Sequence, residues 1–145
     1  MKQWLIDAVT ASVHRLEQAT RGLGDKAGWS PMDKGRNAID QVSECALING
    51  ILADILISRT DPVADWEAFD TARAALDTAD KAIGVLHETL GKLQGAYAAL
   101  PAEEEEKQIT MPWGKQVKLI DLPSIALWNN TYHEGQINYI STLSE

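Results

Sequence analysis

The spacing of apolar residues divides the chain into four helical stretches. Leu5, Val9, Ser12/Val13, Leu16 and Ala19/Leu23 recur three or four positions apart. That stripe predicts an amphipathic helix from about Lys2 to Gly22, with Gly22 and Gly24 as its stop. Ser30-Pro31-Met32-Asp33 has the cap, first-turn proline and acid of a helix start. Gly35 interrupts it, so the second helix is expected to begin near Gly35 or Arg36 and run to about Ser58. Its first half is polar. Its second half is apolar nearly all round, as in a helix at the centre of a bundle. Asp61-Pro62 opens the third stretch. Phe69, Ala72, Leu76, Ala79, Ile83, Leu86, Leu90, Leu93, Tyr97 and Leu100 then alternate in steps of three and four. This seam predicts one long packed helix ended by Pro101.

The acidic run Glu103-Glu104-Glu105-Glu106 reads as a solvated loop. From Ile109 to Ile120, short apolar alternation surrounds the turn signals Pro112 and Gly114, which predicts a small extended hairpin. Trp113 is placed over the bundle mouth as a packing residue. Asp121 is expected to cap the fourth helix, with Pro123 in its first turn and an end near Leu143. The fold class is therefore all-α: an antiparallel four-helix bundle with a short hairpin between helices 3 and 4, residues 1–145 forming a single domain.

Composition narrows the chemistry. The chain has 145 residues, long enough for a core without disulfide staples. Its 13 basic and 21 acidic side chains give a net charge of −8, which argues against nucleic acid and anionic membranes. The one cysteine, Cys45, excludes an internal disulfide and reads as a small buried hydrophobe. Asp7 interrupts any leader-like apolar run, and the segment Cys45–Ile57 is too short and polar to span a bilayer. A cytoplasmic protein is expected. Of the three histidines, His14 reads as solvated and His87 as a boundary residue, leaving His133.

Sites in bundles form where polar side chains converge between helices. On the last helix Asn129, His133 and Gln136 share a face by spacing, inside an apolar stripe extended by Ile125 and Ile140. Trp128, Tyr132 and Tyr139 fall on a neighbouring face, read as core or dimer packing. Gly135 has no local reason in a helix interior, and a close neighbour or ligand would explain it. Asp40 pairs with Arg36 one turn earlier, as ordinary helix support.

Trp29-Ser30-Pro31 leading into Arg36-Asn37-Ala38-Ile39-Asp40-Gln41-Val42-Ser43-Glu44, combined with Tyr132-His133-Glu134-Gly135-Gln136-Ile137, resembles the DinB-like family. That family covers metal-binding four-helix bundles related to bacterial thiol-dependent transferases. The resemblance implies a divalent metal, zinc or nickel, held by one histidine of the second helix and two of the fourth. Carried over, these positions fall on Glu44, Asn129 and His133, so one of the three histidines is present. Asp40, Tyr132 and Gln136 would complete the pocket. An asparagine amide is a poor ligand, so the metal is expected to be weak or absent. The resemblance also implies a homodimer and a small-molecule or thiol ligand.

Two readings remain open. In one, Glu44 and His133 serve a metal- or thiol-dependent transferase or hydrolase, or act as acid and base without metal. In the other, Glu44 and His133 are a buried hydrogen-bonded pair, with Asn129 and Gln136 satisfying the rest. The protein is then a non-catalytic small-ligand-binding or stress-response bundle that has lost the metal site.

Overall fold

The structure is a computed structural model that describes residues 2–145. Five helices account for most of them: α1 (Lys2–Gly22), α2 (Ala38–Ser58), α3 (Trp66–Ala75), α4 (Ala79–Ala98) and α5 (Pro123–Leu143). Two three-residue strands, β1 (Gln108–Thr110) and β2 (Gln116–Lys118), pair antiparallel with Ile109 opposite Val117. The expected hairpin is therefore present.

The long third helix is in fact two. Thr78 has extended backbone and its hydroxyl accepts the Lys81 amide at 3.2 Å, so it starts α4 as a cap. Asp65 caps the short α3 in the same way, through the Ala68 amide at 2.9 Å. Burial explains why the seam does not hold the two together. Ile83, Leu86, Leu90, Leu93, Tyr97 and Leu100 are buried, whereas α3 has no buried residue. Local capping wins where no packing opposes it.

Two helix starts also differ from the pattern. Pro31–Asp33 forms a 3-10 turn, with Met32 and Asp33 both in the left-handed region. Gly35 closes that turn, its amide 2.8 Å from the Pro31 carbonyl, where a Cβ would come within 3.0 Å of the same oxygen. Helix α2 then begins at Ala38, because the Asn37 side chain accepts the Asp40 amide at 2.8 Å. Asp121 does not cap α5. It ends a 3-10 turn, Leu119–Asp121, that runs through Leu122 directly into the helix.

α1, α2, α4 and α5 make the bundle. Cross-helix contacts give their directions. Ser12 meets Asn130 and Arg15 meets Glu134, so α1 and α5 run parallel. Gly50 meets Thr89 and Asp54 meets Lys92, so α2 and α4 also run parallel. Gln41 meets His133 and Cys45 meets Asn129, which sets α2 against α5. Thr10 with Gln94 and Glu17 with His87 set α1 against α4. The bundle is two parallel pairs opposed to one another. Making consecutive helices parallel forces the chain to travel back along the bundle, which is the task of residues 59–78. The return ends where the Ser43 hydroxyl donates to the Leu76 carbonyl at 3.1 Å.

α2 is the one helix among the described residues long and apolar enough to cross a membrane. Here it is the core helix, packed against both α4 and α5. Tyr97 is buried and its hydroxyl donates to the Ile120 carbonyl at 2.7 Å, fastening α4 to the segment that follows the hairpin.

Candidate functional site

Glu44 and His133 are brought together by the antiparallel contact of α2 and α5. His133 Nε2 is 3.1 Å from Glu44 Oε1, and the ring is almost fully buried. The other ring nitrogen, Nδ1, is 2.8 Å from Gln41 Oε1. The Gln41 amide orientation is set independently, since its Nε2 donates to the Arg36 carbonyl at 3.2 Å. Both ring nitrogens thus face side-chain oxygens, one on each side of the ring. Tyr132 closes over the ring edge-on at 5.2 Å.

Glu44 is held from its far side by arginines. Arg36 Nη1 lies 2.7 Å from its Oε2, and Arg73 Nη1, arriving from α3, lies 3.7 Å away. The same two arginines grip Asp40, at 2.5 Å from Arg36 and 3.2 Å from Arg73. Asp40 is therefore part of a cross-helix network and more than local helix support. The hydrogen bond from His133, opposed by burial and reinforced by Arg36, brings the Glu44 carboxyl down to about 2. Burial would lower the Arg36 guanidinium, but its bonds to Asp40 and Glu44 leave it above its ordinary value.

The remaining residues of the spacing argument go elsewhere. Asn129 is buried, but its Nδ2 points at Cys45 Sγ, 3.6 Å away, and not at Glu44. Gln136 lies partly exposed and donates to the Tyr132 hydroxyl at 3.1 Å. Trp128, Tyr132 and Tyr139 are exposed, so they are not core; Trp128 and Tyr132 stack at 5.5 Å. Gly135 has open space where a Cβ would sit, so no close neighbour explains it. The close approach is at Gly50, whose Cβ would meet the Thr89 methyl at 3.1 Å. His14 and His87 lie on the exposed outer side of α1 and α4, with His87 bonded to Glu17 at 2.5 Å. Cys45 is fully buried, and burial together with the Glu44 charge pushes its thiol far up, which leaves it inert as a nucleophile.

Gln41 and Arg73 were not legible as site residues. Gln41 sits three positions before Glu44 on the same face, a spacing that could have flagged it. Arg73 is delivered by the return segment, for which the sequence carries no signal.

Two cavities flank α5. The larger, about 1030 Å³, lies between α2, the 62–69 segment, the hairpin and α5, with Asn129 in its wall. The smaller, about 670 Å³, opens between the 31–36 turn and α5, with His133 and Gln41 in its wall.

No family model matches the chain, and no curated protein matches it in sequence. Solved structures do. The crystal structure of a mycothiol-dependent maleylpyruvate isomerase superposes with a TM-score of 0.75, and that of a histidine-to-alanine mutant of such an isomerase with 0.79, each at 11% identity. The match covers 93% of this chain and 60% of the isomerase, so the chain spans about three-fifths of that protein's length. YfiT from Bacillus subtilis, described as a probable metal-dependent hydrolase with an unusual four-helix bundle topology, superposes with a TM-score of 0.77 at 16% identity. That match covers 99% of this chain and 87% of YfiT. This chain shares the four-helix-bundle fold of these structures.

In this bundle the residues at the expected metal address do not fit a divalent cation. Of the His133 nitrogens, Nδ1 is bonded to Gln41 and Nε2 faces the Glu44 carboxylate. Glu44 is already neutralised by two guanidinium groups, which would repel a cation beside it. Asn129 faces Cys45. Among the described residues, no three His, Cys, Asp or Glu side chains converge as a ligand group.

Proposed function

We propose that this protein is a small-ligand-binding bundle that works without a metal ion, with a charge network standing at the metal address. The observation that carries this reading is the pair of guanidinium groups, Arg36 and Arg73, held against the Glu44 carboxylate that faces His133. Glu44 supports it further. A carboxyl held at about 2 is ionised but is a poor proton acceptor near neutral pH. The two cavities beside α5 are where a ligand would bind.

The test is metal analysis of protein purified without chelators, followed by equilibrium dialysis against zinc and nickel. Substoichiometric metal in both steps is the expected result. Stoichiometric retention or uptake would overturn the reading. It would favour the rival suggested by the likeness to YfiT and the isomerase, a metal- or thiol-dependent hydrolase or transferase.

The outer face of α5 motivates a second proposal, a homodimer. Tyr132, Tyr139 and Leu143 are exposed there along one ridge. Light scattering should report twice the chain mass, and a monomer at high concentration would refute the dimer.

A further inference from the structure

The larger cavity carries an inference about ligand class. Three of the five tryptophans, Trp66, Trp113 and Trp128, line it, each more than half exposed. They come from three separate elements: α3, the hairpin turn and α5. Exposing three indoles is costly unless something covers them, since each buries a large apolar area when covered. Trp66 pairs edge-on with Phe69 at 6.1 Å, and Trp128 stacks on Tyr132, but no aromatic pair spans the cleft. The facing walls are therefore separated by a gap. A volume of about 1030 Å³ is at the upper end for small-molecule sites.

Among the polar residues of the wall, which include Asp65, Lys115, Lys118 and Asp121, Asn129 is the one that is buried. It is more than nine-tenths buried, yet its amide has one weak partner, the 3.6 Å contact from Nδ2 to Cys45 Sγ. Oδ1 has no partner among the described residues and is not one of the fully buried unbonded atoms, so it keeps an edge that solvent or a ligand can reach. A carboxamide presents a donor and an acceptor side by side, and its complement is another cis amide or lactam edge.

We propose that this cleft binds a flat, fused-ring molecule carrying a lactam-like N–H/C=O edge, with its rings among the tryptophans and its polar edge against Asn129. The proposal rests on the reading of this protein as a ligand-binding bundle. The two can fail separately: metal uptake would overturn that reading and leave the cleft untouched, and an empty cleft would leave the metal result standing.

The experiment uses the full chain and two probes, 2-quinolinone and its N-methyl derivative, which cannot donate. Proton–nitrogen NMR follows the five indole N–H signals. Saturable shifts at Trp66, Trp113 and Trp128 are expected, with Trp4 and Trp29, which do not line the cleft, as internal references. The N-methyl probe should bind roughly three- to tenfold more weakly, the worth of one hydrogen bond. In Asn129→Leu the two probes should bind alike. Because a core substitution can disturb folding, Trp113→Ala, at an exposed turn, provides the second variant and should weaken both probes equally. Absence of shifts up to millimolar probe, equal shifts at all five indoles, or a preference that survives Asn129→Leu would each overturn the proposal.

Discussion

Replacing Glu44 by glutamine removes the charge at the centre of the network and keeps its shape. The magnitude follows from the carboxyl's environment. Moving it from its ordinary 4.5 to about 2 sets a ceiling of about 3 kcal/mol on what ionised Glu44 contributes. Water reaches 21% of the side chain, and ion pairs reached by solvent deliver less than their ceiling, so about 1–2 kcal/mol is expected. For a chain of this size that corresponds to about 3–8 °C in Tm. The sign is fixed by the direction of the shift. A carboxyl lowered by folding stabilises above its unfolded value and loses that contribution as pH falls from about 4.5 toward 2. Urea unfolding of the native chain and E44Q at a series of pH values isolates this group, since the other carboxylates titrate in both proteins. The stability difference should shrink steadily as pH falls below about 4.5. A difference unchanged down to pH 2.5, or absent at pH 7, would refute the account of Glu44 as an ionised partner of His133 and Arg36.

Other expectations follow from burial and space. Cys45 should resist iodoacetamide in the folded protein and react fully in denaturant; labelling within minutes under native conditions would contradict its burial. Gly135→Ala should raise stability by about 0.5–1 kcal/mol in thermal melts, because a Cβ there meets nothing and alanine is the better helix residue. A loss of stability would reveal a contact on that face, such as a second copy. Asn49 is fully buried with neither amide atom bonded to protein. Asn49→Leu should therefore stabilise by about 1–3 kcal/mol, and destabilisation would point to bound water bridging the amide.

The apolar periodicity carried the bundle because burial and helical repeat are the same fact seen twice. A residue every three or four positions must face one side, and that side must be covered. The stripes of α1 and of Ile83 to Leu100 were legible for this reason, as was the hairpin through Pro112 and Gly114. The pattern misled where it continued without burial. Phe69 and Leu76 keep the seam's spacing, but the capping residues Asp65 and Thr78 decide the helix boundaries there. The four-and-three spacing of Asn129, His133 and Gln136 identified a shared face, which is coarser than a shared site. A step of three or four residues leaves room for one side chain to enter an interface while its neighbours turn to either side.

What the sequence determined by itself is therefore the four helices of the bundle, the core stripe and the one histidine placed to meet Glu44. The tertiary structure decided what surrounds that pair. Gln41 reaches His133 only because α2 and α5 run antiparallel in this register. Arg73 reaches Asp40 and Glu44 only because parallel packing of α2 and α4 sends the chain back along the bundle. A charge delivered by a return segment has no periodic signature, and Arg73 is what links Asp40 and Glu44 to that segment in one ion-pair network.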